Sequence, residues 1–380
     1  MRAHCLAVVI AALAVVLGVS ACGGSSSKDS RGGTATSLTI TSSRTLGETR
    51  GPNGEPATPT SALTLTPAEV AKVQAGHYTA AFAWHEGADF TTAVTNGADD
   101  EFAKLGIRVV ATTEAGFDPA KQKNDVETIM ARKPSVLLSL PIDPVGSATT
   151  YRAAAKAGTR LVFLSNVPKG FVQGRDYVAV VTDDLFQMGK QAADALAAGI
   201  GDRGKIAYLY HDASFYVTNQ RDQAFKKTIE GNYPNIKIVA QAGIADPSKA
   251  EEQANAVLLQ HPDLNGIYVT FSQPAGEGVL SALRSSGNTK AKLVSLDLDE
   301  PLALDMARGG HVTALVTDKA YELGQAMAEA AAYGLLGKQA PPFIVAPATT
   351  VTKPNLMAGY EASLHTAPPA SVLAAAKVAK

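Results

Sequence analysis

"GIYVTFSQPAGEGVLSALRSSGNTKAKLVSLDLDEP", residues 266–301, holds two short apolar runs, each ending in polar and aromatic residues, with one amphipathic stretch between them. GIYVTF (266–271) and KLVSLD (292–297) are too short for helices and nearly unbroken in apolar character, the pattern of strands covered on both faces of a parallel sheet. The stretch from about Ala275 to Ser285 reads as the helix that joins them. The same rhythm runs outward. YTAAFAW (78–84) precedes a helix over about Phe90 to Leu105, IRVVATT (107–113) one over Pro119 to Arg132, and SVLLSL (135–140) one over Ala148 to Ala157, with RLVFLS (160–165) following. It resumes with KIAYLY (205–210), a helix over Tyr216 to Ile229, IKIVAQA (236–242) and a helix over Ser248 to Gln260. Two such series predict an α/β protein of two doubly wound parallel-sheet lobes, divided near YVAVVTDD (177–184). No strict sequence repeat accompanies the repeated architecture.

Beyond Tyr78 roughly 300 residues remain, comfortable for two cores. The chain has 34 Lys plus Arg against 35 Asp plus Glu, a net charge of −1, and no basic stripe of the kind nucleic-acid binding requires. The two cysteines, Cys5 and Cys22, lie in or beside the apolar run from Leu6 to Ala21, which follows Arg2 and His4. A basic start, an apolar core and small residues form the anatomy of a signal peptide, expected over residues 1–21. The run is short for the ~30 Å of a membrane core.

The four residues VSAC (19–22) resemble the bacterial lipobox, which implies cleavage before Cys22 and lipid on that residue. Residues 22–61 are rich in Gly, Ser, Thr and Pro and read as a lipidated N-terminus and flexible linker. A leading segment, 62–77, carries a helix signal: Thr66 as N-cap, Pro67 at the first position and Glu69 completing a capping box.

In open parallel sheets, ligands collect beyond the carboxyl ends of the strands. The residues found there are HEGADF (85–90), PIDP (141–144), SNVP (165–168), HDASFYVTNQRD (211–222), GIADP (243–247), FSQPAGE (271–277) and DLDEP (297–301). Asp and Asn hydrogen-bond hydroxyls, and flat aromatic faces suit the apolar faces of a sugar ring. Asp118, Asp143 and Asp246 each precede Pro and a helix, and are read as caps. Asp297 is open between cap and ligand contact, because Asp299 and Glu300 can serve a helix starting near Pro301. Trp84, the single tryptophan, is open between cleft and core.

From Tyr78 to about Leu356 the chain resembles the type I periplasmic substrate-binding proteins, in the ribose and galactose branch. The stretches carrying the resemblance are NGADDEFAKLGIRVVAT (96–112), FDPAKQKNDVETIMARKPSVLLSLPID (117–143), AAAKAGTRLVFLSN (153–166), TDDLFQMGKQAADAL (182–196), NQRDQAFKKTI (219–229), LLQHPDLNGIYV (258–269) and LVSLDLDE (293–300). The resemblance implies lobes joined by three crossovers, closing on one ligand that is handed to an ABC permease and its ATPase. The N-terminal lobe is expected over 78–182 plus 318–346, the C-terminal lobe over 183–317 plus 347–363, and a tail over 364–380.

Site residues follow from the same resemblance. The family's aromatic pair after the first strand falls at Phe90, with Asp89 beside it, after Trp84 and His85. Its Asp-Arg pair falls at Ser165 and Asn166, and its clasping Arg at Asn219, with Arg221 two residues on. Its Asn falls at Phe271, its hinge Gln at Asp318, and its strand-end Asp is kept as Asp297. His211 joins the set from the second lobe. The absence of two arginines removes the forks that clamp carboxylates or phosphates. The expected ligand is therefore a small neutral sugar or polyol, and the acidic set also suits a cation.

Two other function classes find little support in the residues. His211, Asp212 and Ser214 stand too close together on one loop for a relay. The sequence also lacks G-x-S-x-G, H-E-x-x-H, a P-loop and G-x-G-x-x-G. His85, Glu86 and Asp89 have no second cluster, so neither enzyme activity, metal nor cofactor is expected. The rival within the same fold is a receptor for a small signal molecule. The expected product is a monomeric lipoprotein on the outer face of the cytoplasmic membrane.

Overall fold

The computed structural model describes residues 48–378. The signal peptide expected over 1–21, lipidation at Cys22 and the linker as far as residue 47 lie outside the described residues. In chain order come β1 (Thr58–Pro59), α1 (Pro67–Gln74), β2 (Thr79–Trp84), α2 (Asp89–Lys104), β3 (Arg108–Glu114), α3 (Pro119–Met130), β4 (Val136–Ser139), α4 (Ala148–Lys156), β5 (Arg160–Leu164) and β6 (Ala179–Asp183). Next are α5 (Leu185–Ile200), β7 (Gly204–His211), α6 (Tyr216–Asn232), β8 (Ile236–Ile244), α7 (Ala250–Gln260), β9 (Gly266–Val269), α8 (Glu277–Ser285), β10 (Lys292–Leu296), α9 (Glu300–Arg308) and β11 (Val312–Thr317). The chain continues through α10 (Ala320–Leu336), β12 (Phe343–Ala346), β13 (Thr349–Val351), α11 (Leu356–Leu364) and α12 (Ala370–Val378).

Local chemistry places the helix starts. Thr66 Oγ1 accepts from the Glu69 N–H while Glu69 Oε2 accepts from the Thr66 N–H at 2.8 Å, with Pro67 at the first position of α1. Asp118 Oδ1 accepts from the Ala120 and Lys121 N–H groups, and Asp246 Oδ1 from that of Ser248. Each satisfies donors that the first turn leaves free. Asp143 caps differently: it accepts from the Val145 N–H in the turn before α4, whose N-cap is Ser147.

The strands form two sheets, in the orders β1-β12-β6-β5-β4-β2-β3 and β13-β11-β10-β9-β7-β8. All neighbours run parallel except β13, which is antiparallel to β11. The central strands β4 and β9 are buried throughout, as their unbroken apolar runs require. The chain passes between sheets after β6, after β11 and after β12. In each lobe the first strand of the series sits between the second and the third, β3-β2-β4 and β8-β7-β9. The order therefore reverses at β2/β4 and at β7/β9, and these switch points open a crevice at the carboxyl ends.

The structure departs from the sequence reading at both ends of the fold. The described part of the segment read as flexible linker is bound in place. Thr58 and Pro59 pair in parallel with Ile344 and Val345 of β12, Thr60 Oγ1 donates to Glu322 at 2.5 Å, and the Tyr216 hydroxyl donates to the Arg50 carbonyl. Gly, Ser, Thr and Pro advertise no apolar face, yet a sheet edge pairs with backbone alone, whatever the side chains. The segment read as a tail contains α12, whose Val372 is fully buried and whose Ser371 hydroxyl donates to Glu300 at the start of α9.

Candidate functional site

The carboxyl ends of the two sheets face each other across a narrow cleft with a cavity of only about 40 Å³, well below the ~300–1,000 Å³ of small-molecule sites, so the lobes must part to admit a ligand. A wider groove between α3 and α4, bordered by Tyr78, Ser135, Thr159 and Arg160, lies at the opposite ends of the first-lobe strands. The switch points favour the cleft.

On the first-lobe wall, β2 ends at Trp84 and hands over to His85 and Glu86. Alternate strand residues share a face, so Trp84 lies beside Phe82, with ring centroids 5.6 Å apart, and its Nε1 donates to Thr95 Oγ1 at 2.8 Å. Trp84 is a core residue, not a cleft residue. His85 points the other way, with Nε2 3.4 Å from Glu86 Oε1 and Nδ1 buried without a hydrogen-bond partner. Phe117, between β3 and α3, has φ 61°, an outlier for a bulky side chain and a mark of functional constraint. Its N–H donates to the His85 carbonyl at 2.7 Å, and its ring stacks on Phe271 of the opposite lobe at 5.8 Å and 17°. Phe90, half-buried in the first turn of α2, also lines the cleft. Asp89 sits at the rim, where its N–H donates to Gln273 Oε1 across the cleft at 3.4 Å.

The second-lobe wall is built on β7, α6 and β9. His211 ends β7 and supports the wall from behind: it lies edge-on to Phe215 at 5.3 Å and to Phe271 at 5.6 Å, with Nδ1 2.9 Å from Thr218 Oγ1. Burial, and then the charge of Arg221, push its pKa down to about 4, so the ring is neutral near pH 7. Asp222 is buried and accepts from the His211 N–H, Tyr268 hydroxyl and Thr270 hydroxyl at 2.9, 2.7 and 3.0 Å. These bonds pin α6 to β7 and β9 and so aim the adjacent Arg221.

Arg221 forms the floor. Its Nη1 donates to Asp297 Oδ1 at 3.0 Å, and only 5 % of the residue is exposed. Asp297 stands at φ 68° just beyond β10. Asp183 ends β6 and Asp318 follows β11, both at crossovers between the lobes. Each is 2 % exposed with one carboxylate oxygen lacking any partner. Burial pushes all three carboxyls above the usual carboxylate range, while the Arg221 charge draws them down.

Two expected residues do other work. Asn219 accepts from the Phe215 N–H at 2.8 Å and lines no part of the cleft. Two residues along a helix turn the side chain by ~200°, so with Val217, Thr218, Arg221 and Asp222 on the buried face, position 219 points away. Arg221 takes the clasping place. Asn166 is fully buried; its Nδ2 donates to the Pro141 carbonyl at 3.0 Å and its Oδ1 accepts from the Val217 N–H at 3.2 Å, joining the lobes rather than facing the cleft.

Phe117, Phe215, Asp183, Glu86 and Asp299 line the cleft in addition to the expected ligand residues. Asp183 carried a signal, since it is the strand-end residue of β6, the position that holds polar side chains in the other strands. Phe117 carried none, because its backbone conformation is invisible in AGFDP.

Asp299 also gives the cleft a pH signature. It is the N-cap of α9, with Oδ1 accepting from the Leu302 N–H at 2.9 Å, while Oδ2 is buried without a partner. Burial, and then Glu277 and Asp89 nearby, push its pKa up to about 7. The folded state therefore holds a proton that the unfolded chain releases near pH 4, and this contribution to stability is lost as pH rises through about 7. Asp299→Asn keeps the cap acceptor and removes the buried charge. The variant melts several °C higher than the parent at pH 8, on the order of 3 kcal/mol, and the gain disappears at pH 4. A gain independent of pH in thermal melts overturns this account.

Comparison with known proteins agrees with this architecture. The chain is 26% identical over 259 residues to the ribose import binding protein RbsB of Bacillus subtilis, covering 68% of this chain and 81% of that protein. It is 24% identical over 251 residues to the Salmonella typhimurium protein of the same name, covering 66% and 82%. Among solved structures, an ABC transporter solute-binding protein from Agrobacterium vitis, bound with alpha-D-tagatopyranose, superposes with a TM-score of 0.67 at 23% identity. The match covers 73% of this chain and 96% of that one. One from Agrobacterium radiobacter, in complex with D-arabinose, gives 0.67 at 20% identity, covering 76% and 99%. The model of the periplasmic binding protein domain matches residues 80–339, and the chain, two parallel-sheet lobes closing on one cleft, belongs to that family.

Proposed function

We propose that this protein captures one small sugar or polyol between its lobes outside the cytoplasm and delivers it to the permease and ATPase of an ABC importer. The observation that carries the reading is the pairing, in one closed cleft, of aromatic faces from both lobes, Phe117 and Phe271, with the polar floor of Arg221 and Asp297. Aromatic rings pack on the apolar faces of a sugar ring, and buried charged groups hydrogen-bond its hydroxyls. The names of the relatives, ribose import binding proteins, support a transport role, and they do not favour a signal receptor or an enzyme. The chain acts as a monomer, tethered through lipid on Cys22 to the outer face of the membrane.

Thermal shift against pentoses, hexoses and four- to six-carbon polyols tests the ligand class. At a hundredfold excess over Kd, a ligand raises stability by ~2.7 kcal/mol, a clear shift. A panel in which only amino acids or peptides raise the melting temperature overturns the reading. Asp297→Ala weakens the best ligand at least tenfold, because hydrogen bonds to a charged group contribute about 1.5–3 kcal/mol. Phe90→Ala does the same through lost contact area. Unchanged affinity in either folded variant, read by calorimetry, removes that residue from the site.

A further inference from the structure

The floor of the cleft carries an excess of acidic side chains over basic ones, with carboxyl oxygens that no protein group satisfies. Among the described residues lining the cleft, Glu86, Asp89, Asp183, Asp297 and Asp299 are acids, and Arg221 is the only lysine or arginine. Asp318 stands close behind, where its charge acts on the same group. Arg221 is already engaged, with Nη1 on Asp297 Oδ1 at 3.0 Å. His211 is held neutral near pH 7. The acids are not balanced by neighbours: Asp183 Oδ1 and Asp299 Oδ2 are buried in residues 2 % and 1 % exposed, both lining the cleft, and neither has a hydrogen-bond partner.

Carboxylates only accept hydrogen bonds, and an ammonium only donates, three at a time. Burial favours the protonated form of these carboxyls, and a cation brought into the same low-dielectric space lets them ionise against a counter-charge. The missing arginines already argue against anionic sugars, and the assembled floor carries that argument a step further.

We infer that the sugar taken by this cleft bears a basic nitrogen, an amino sugar or amino polyol whose ammonium is held by Asp183, Asp297 and Glu86. The inference rests on the sugar reading above and narrows it. The ring hydroxyls then face Arg221, His85 and the rim, while the ammonium takes up Asp183 Oδ1, the acceptor of these three that no protein donor reaches.

Calorimetric titration of the full chain with matched probes at pH 6.5 tests this. D-glucosamine, D-galactosamine and D-mannosamine are each compared with the neutral parent hexose and with the N-acetylated derivative. At that pH a primary ammonium keeps its proton. The expected result is that at least one amine binds tenfold or more tighter than its parent, and that N-acetylation removes the preference. In Asp183→Asn the preference falls to within about threefold. Should that variant fail to fold, Glu86→Gln at the edge of the site reads the same loss more weakly. Neutral hexoses, pentoses or polyols binding as tightly as the amines, or more so, overturn the inference and leave the sugar reading standing. A panel in which no sugar of either kind binds overturns both.

Discussion

Arg221→Met abolishes sugar binding and lowers the melting temperature of the ligand-free protein by about 10 °C. The side chain is buried and donates to Asp297, and its charge acts on Asp183 and Asp318. Removing one partner of a buried pair typically costs about 3–5 kcal/mol because it strands the other charge. Here three carboxylates are stranded. At ~2–4 °C per kcal/mol for a large domain, the shift is easy to see by calorimetry or circular dichroism. The loss shrinks at acid pH: with the guanidinium gone the three carboxyls rise further above their ordinary range, so the folded variant gains stability by binding protons as pH falls. Adding Asp297→Asn to Arg221→Met recovers part of the stability, since it neutralises one stranded charge, but none of the binding. A single variant that melts with the parent and keeps its affinity would sink the assignment of Arg221 as the centre of the floor.

Gly324→Ala has an effect of similar size for a different reason. The helices α2 and α10 cross backbone to backbone: a Cβ on Gly324 would lie 1.9 Å from the Val94 carbonyl oxygen, and one on Gly97 would lie 2.0 Å from that of Tyr321. No rotamer relieves a clash with a main-chain atom, so the helices must separate. Overpacking costs about 3 kcal/mol at its upper range, and the melting temperature falls close to 10 °C. Affinity falls with it, because α2 begins with Asp89 and Phe90 at the cleft. Gly337→Ala is the control. Gly337 ends α10 at φ 69°, and a Cβ there would meet nothing within 4 Å, so only the left-handed backbone is penalised, by ~1 kcal/mol. Equal losses in the two variants would show that conformational preference, not the helix crossing, sets the cost.

What the sequence determined by itself is what depends on neighbours within a few positions. Strand runs such as GIYVTF and KLVSLD, and the caps at Thr66, Asp118, Asp246 and Asp299, are interactions over at most one turn. Alternating such elements leaves few ways to bury two sheets, so the two-lobed fold and the placement of its cleft were legible. Arg221, Asp297, Phe271 and His85 were legible as strand-end and helix-start residues. Tertiary structure alone decided which of these side chains meet. Trp84 turned into the core with Phe82, helical phase exchanged Asn219 for Arg221, and Asn166 was spent on joining the lobes. A left-handed backbone put Phe117 on the wall, and two crossovers brought Asp183 and Asp318 from distant segments to one buried charge. A short window of sequence encodes periodicity and capping, but the direction of a side chain in the cleft depends on backbone φ, helix rotation and the convergence of strands far apart in the chain.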